Sequence, residues 1–195
     1  MRHAAPVQSR FVSVFVALLL VPSALAAAGP QSAVKSLLGS TVDNSRMADN
    51  YFAEGPTRIA SPIAAAAHHV VATVVVPVDG PDAEDGIAFW VFPTAADAQA
   101  ALGAAGAVVP GIHSKAVGRV PGVAGRTVLL AGATSSANLL YESVTNTVTV
   151  AAAVSGTVVV IGYVRATDGS SHSKPAVAFL KAGLAYSSAA LPSSR

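Results

Sequence analysis

The chain contains no cysteine. That excludes disulfide frameworks, thiolate metal centres and anchoring through a lipid-modified cysteine. Charge is scarce too: Asp, Glu, Lys and Arg make up 11% of the 195 residues. The formal charge of +2 comes from Arg2 and Arg10. Beyond residue 28, ten Lys and Arg balance ten Asp and Glu. A neutral working chain lacks the electrostatic footprint of a nucleic-acid binder and the polybasic patch that draws proteins to acidic lipids. It also has little self-repulsion, which leaves a homo-oligomer open. Aromatics are 6% of the chain, and Trp90 is the only tryptophan. Phe89, Trp90 and Phe92 read as core rather than as a ligand platform. No H-E-x-x-H, G-x-S-x-G, P-loop or dinucleotide fingerprint occurs, and no cofactor is expected.

The clearest positive feature is an export signal. Met1 to Arg10 is a short basic start. Phe11 to Val21 (FVSVFVALLLV) is an uncharged apolar run of eleven residues, broken by Pro22 and followed by Ser23, Ala24, Leu25, Ala26, Ala27 and Ala28. This is the layout of a secretory signal peptide, cleaved after Ala26 or Ala28. An uncleaved anchor is the alternative, because Phe11 to Ala28 holds eighteen residues without a charge. Pro22, Ser23 and the alanine tail favour cleavage. The expectation is an exported product, extracellular or in the periplasm or cell envelope, touching membrane only through an uncleaved signal.

About 167 residues then remain, enough for one domain with its own core. Low charge with 52% hydrophobic residues argues against disorder. The excess of arginine over lysine and the abundant alanine, together with this layout, resemble the small exported proteins of unknown function encoded by high-GC bacteria. The resemblance rests on composition and layout and carries over no functional residue.

Along the chain, Gln31–Leu38 reads as a short helix with Val34, Leu37 and Leu38 on one face, stopped by Gly39. Val42–Glu54 is ambiguous, with Met47, Tyr51 and Phe52 as its apolar content. His69–Val78 and Ile87–Phe92 read as strands, the second apolar on both faces and therefore central. Pro77 implies a strand end or an edge. Thr94 and Asp97 form a capping-box-like start to a helix whose stripe is Ala98, Ala101, Leu102 and Ala105. Val108–Gly125 reads as loop. Arg126–Leu130, Asn138–Val144, Thr147–Val154 and Val158–Arg165 are strand-like, with a tight hairpin at Gly156. Ser143–Val164 is long enough to span a bilayer, but its polar interruptions and period-two alternation favour a buried hairpin. Ser173 to about Ser188 is a closing helix with Val177, Leu180 and Leu184 as its apolar face.

Several groups of residues are candidates for chemistry. Asp79, Asp82, Glu84 and Asp85 gather four carboxylates within seven residues, as hard-cation loops do, although the spacing is not that of an EF-hand; the competing reading is a solvated hairpin loop. His68 and His69, as strand neighbours, would point to opposite faces and chelate poorly together, and His113 and His172 are distant. Asp168, Ser171 and His172 supply the residue types of a hydrolase triad, although a turn and helix cap explain the same residues. Ser171-x-x-Lys174 and Ser32-x-x-Lys35 match the S-x-x-K of penicillin-recognising enzymes without its partner motifs.

The expected architecture is α+β: a signal-peptide helix, an irregular and helical segment over 29–62, and one domain over 63–190 followed by a short tail. That domain is expected to hold a mostly antiparallel sheet of five to six strands with two main helices packed on one face. The expected function is a non-enzymatic domain that binds a protein or small-molecule partner through its sheet or surrounding loops. The alternatives are a small secreted hydrolase and a self-associating envelope protein.

Overall fold

Valine-rich alternation sets the centre of the molecule. In the computed structural model, which describes residues 29–80, 83–137, 143–167 and 169–191, these runs form one antiparallel sheet. The expected signal peptide lies outside the described residues. In chain order the elements are α1 (Pro30–Leu38), β1 (Phe52–Ala53), β2 (Thr57–Ile59), α2 (Ile63–Ala66), β3 (Ala72–Asp79), β4 (Ala83–Val91), α3 (Ala95–Ala101), β5 (Lys115–Gly118), β6 (Thr127–Ala137), β7 (Ser143–Ser155), β8 (Val158–Ala166) and α4 (Ser173–Ala190). Short 3₁₀ turns cover Asn44–Arg46 and Leu102–Val108. The fold is α+β, as expected, but the sheet has eight strands rather than five or six. Their order is β1-β3-β4-β8-β7-β6-β5, with β2 also paired to β3.

Helices cover both faces of this sheet, not one. Val74, Val76, Ile87, Phe89, Val91, Val158 and Val160 face α1 and α4. The alternate positions, Val75, Ala88, Trp90, Val159 and Ile161, face α3 and the 3₁₀ turn after it. The reason is in the sequence: Ile87–Val91 of β4 and Val158–Ile161 of β8 are apolar at successive positions, so each face needs its own cover. Thr94 caps α3 as read, accepting from Asp97 N–H at 3.1 Å and donating to Asp97 Oδ2 at 2.6 Å. Ala98, Ala101, Leu102 and Ala105 are all buried.

The hairpin at Gly156 is also as read. Ser155 pairs with Val158, and Gly156 has φ of +59°, as the first position of a two-residue type II′ loop requires. Ser143–Val164 is therefore two strands joined by a tight turn, and no helix among the described residues is long and apolar enough to cross a membrane. The strand-like runs upstream resolve into two long strands, β6 and β7, in register from Thr127↔Ala153 to Ala137↔Ser143. Residues 138–142 lie outside the described residues.

Three local readings are corrected. β3 starts at Ala72, not His69; His69 has φ of +64° in a turn after α2. The 108–125 segment is not all loop, since β5 lies within it. The buried face of α4 runs through Ala176, Phe179, Leu180, Gly183 and Tyr186, with Val177 and Leu184 only half-buried beside it. Pro77 is not on an edge strand: β3 lies between β4 and the β1 and β2 strands, and Pro77 falls in the gap between the pairing of Thr73–Val75 with β2 and that of Val78–Asp79 with β1, so its missing N–H breaks neither ladder.

Tyr186 ties α4 to α1 by donating its hydroxyl to the Leu37 carbonyl, one of the acceptors that a helix end leaves open. Burial pushes the Tyr186 phenol above its ordinary value. A raised folded-state value means that the native state holds this proton longer than the unfolded chain. Stability from this group is complete below the unfolded value of about 10 and is lost as pH rises through the folded one. Urea midpoints should therefore fall above about pH 10, and Tyr186→Phe should flatten that part of the slope.

Candidate functional site

The sequence-derived candidates are only partly assembled. Asp79 is exposed on the end of β3, whereas Asp85 is buried in β4, with Oδ1 accepting from Arg165 N–H at 3.1 Å. The reading of Asp85 as part of a solvated loop is corrected: the strand pairing Val78↔Asp85 carries it inward. Asp82 lies outside the described residues, and the side chain of Glu84 is likewise not described. No group of three or more His, Cys, Asp or Glu that could hold a metal occurs among the described residues.

In the segment read for triad residue types, the serine that meets the histidine is Ser170 and not Ser171. Ser170 Oγ and His172 Nε2 stand 2.6 Å apart. Thr147 Oγ1 donates to Ser170 O at 2.5 Å, and His172 N–H donates to Thr149 Oγ1 at 3.2 Å, so β7 fixes this turn ahead of α4. Ser170 and Ser171 are exposed and His172 is half-buried. Asp168, the third residue of that reading, lies outside the described residues.

A different surface gathers charge without neutralising it. After β5 the chain turns through Arg119–Arg126 and enters β6. Val120 is buried, and its N–H donates to Thr127 Oγ1 at 3.0 Å. Gly122 and Gly125 take positive φ of +67° and +83°, which lets the turn double back over so few residues. The anchored valine and the bond to Thr127 bring the two ends of the turn together, and each end carries an exposed arginine. Arg119 and Arg126 line one cleft of ≈ 210 Å³ with Leu102, Gly125, Thr127 and Val128. From α4, Lys181 Nζ reaches to 3.6 Å from where a Cβ on Gly122 would stand. Lys115 on β5 is exposed on the same edge. The ion pair Arg46–Asp43, at 3.3 Å, is remote in sequence, and neither Arg119 nor Arg126 has an acidic partner among the described residues.

The signal for this surface is present in the sequence but disappears in a whole-chain sum. Residues 29–97 carry eight Asp and Glu against three Lys and Arg; residues 98–195 carry two against seven. The strand order places β1 and β2 at one edge and β5 at the other. At about 4.8 Å per strand the two edges are roughly 29 Å apart. Screening acts over about 8 Å at physiological salt, so the acidic edge does not neutralise the basic one within one molecule.

Compared with models of known protein families, with curated protein sequences and with solved structures, the chain matches none.

Proposed function

We propose that the protein is an exported, non-enzymatic interaction domain whose recognition surface is the basic edge formed by β5, the 119–126 turn and the start of β6. The observation that carries this reading is the pair Arg119 and Arg126, held at the two ends of one anchored turn and lining one cleft with no acidic partner among the described residues. Guanidinium groups offer planar, multiple donors suited to carboxylate and phosphate oxygens. An acidic surface that covers the cleft gains charge-assisted hydrogen bonds without first breaking an internal ion pair.

Titration calorimetry of the purified exported protein with poly-L-glutamate at low salt tests this reading. Binding should be measurable and should weaken about tenfold in Arg119→Ala/Arg126→Ala, about 0.7 kcal/mol per partly screened contact. Lys174→Ala, on the first turn of α4, should leave it unchanged. Absence of binding, or equal weakening by all the variants, would remove the assignment.

A hydrolase is the second reading, favoured by one observation, the 2.6 Å contact between Ser170 Oγ and His172 Nε2. Nucleophile and base within hydrogen-bond reach are the first requirement of that chemistry. Covalent labelling of Ser170 by a serine-directed fluorophosphonate, lost in His172→Ala, would move the assignment there.

A further inference from the structure

We propose that the partner of the basic edge is the acidic edge of a second copy of this chain, so that the protein assembles head to tail. The inference rests on the reading of the β5 edge as a recognition surface and names its occupant.

Both ends of the sheet order are open. β5 pairs only with β6, and β1 and β2 pair only with β3, among the described residues. An open edge presents a row of backbone donors and acceptors suited to another strand. The exposed apolar side chains collect at the same two places. Five large apolar residues are left exposed among the described ones: Leu38, Phe52, Ile59, Ile63 and Val117. Phe52 (63% exposed) is on β1, Ile59 (47%) is on β2, and Ile63 (91%) opens α2 just after β2. Val117 (60%) is on β5. Only Leu38, at the end of α1, lies elsewhere. Apolar side chains concentrated on open edges mark contact surfaces.

Charge decides which edges meet. The β5 edge carries Lys115, Arg119 and Arg126, all exposed. The β1–β2 edge carries exposed Asp49, Glu54 and Asp79 against Arg58, while Arg46 in the adjoining 3₁₀ turn is exposed but ion-paired to Asp43. Pairing β5 with β5 would set like charges against each other, which costs free energy and suppresses that arrangement. Pairing β5 with the β1–β2 edge sets unlike charges together and covers Val117 with Ile59 and Phe52. Lys115 and the register irregularity between Ala116 and Gly118 blunt β5 against indiscriminate pairing. An acidic partner removes the charge part of that barrier. Both edges are short, four residues in β5 and five in β1 and β2 together, so the contact is weak and salt-dependent. It is also heterologous: a pair of copies keeps one unused edge of each kind, and growth does not stop at a dimer unless the rotation closes a ring.

Sedimentation velocity of the purified exported protein at rising concentration tests the inference. At low salt the average mass should climb past a dimer, and at high salt it should fall to the monomer. Arg119→Glu/Arg126→Glu should be monomeric, and so should Asp49→Lys/Glu54→Lys. Mixing the two reversed proteins should restore association, because each then presents the charge the other lacks. A wild-type monomer at low salt, or a dimer of fixed size that persists in Arg119→Glu/Arg126→Glu, overturns head-to-tail assembly. If that monomer still binds poly-L-glutamate through Arg119 and Arg126, the recognition surface stands and only its self-partner falls. If it does not bind, both fall.

Discussion

Gly162→Val should destabilise the protein by about 3 kcal/mol, a large share of the roughly 5–15 kcal/mol typical of a domain. Gly162 lies in β8, where α4 crosses the sheet. A Cβ there would stand 2.4 Å from both Ala176 O and Leu180 N, and 2.9 Å from Phe179 Cβ. The first two are helix backbone, which cannot turn aside as a side chain can. α4 would have to lift, uncovering Phe179 and Leu180, both fully buried. Gly183 on the facing side of α4 is also close-packed, though against side chains, with Ile87 Cγ2 at 2.7 Å and Val160 Cγ1 at 2.8 Å from its Cβ position. Urea unfolding should show a lower midpoint with an unchanged slope. Gly103→Ala is the control: nothing lies within 4 Å of its Cβ position, and its effect should stay within about 0.5 kcal/mol. A Gly162→Val midpoint equal to wild type would show that α4 does not sit on the sheet as described.

Trp90→Ala should cost about 3–5 kcal/mol, whereas Trp90→Phe should cost about 1 kcal/mol or less. Trp90 is fully buried between β4 and the α3 side of the core. Its truncation leaves a large cavity in the core cluster that also holds Ala98, Ala101 and Leu102. Phenylalanine keeps most of the packing. It also removes the indole N–H, which is buried without an acceptor. An unpaired buried donor costs about 1–3 kcal/mol, and its loss offsets the smaller ring. Equal losses for the two variants in urea unfolding would contradict this environment for Trp90.

The contrast between these buried sites and the basic edge explains what the sequence reveals. β4 and β8 are legible because Ile87–Val91 and Val158–Ile161 are apolar and buried at every position, and α3 because Thr94 and Asp97 announce its start. β2 and β5 are not legible: their exposed residues, Thr57–Ile59 and Lys115–Gly118, bury no face and so carry no period. Their conformation is imposed by pairing with β3 and β6. Helices on both faces follow from β4 and β8 being apolar at successive positions, a feature visible in Ile87–Phe92 that a one-sided packing leaves unused. Asp85 hides among neighbouring carboxylates, and only its register against Val78 turns it inward. The basic edge is legible in the order of the charges, not in their total. What the sequence does not contain is the pinch between Val120 and Thr127 that sets Arg119 beside Arg126. That contact depends on the fold of the turn.

Hydrogen exchange with and without poly-L-glutamate tests the central claim most directly, because it reports where binding occurs as well as whether it occurs. The account predicts slower exchange in peptides spanning Lys115 to Val128, erased at high salt, with the segment around Ser170 and His172 unchanged. Slowing centred on Ser170–His172, or no slowing along β5 and the 119–126 turn, would contradict it.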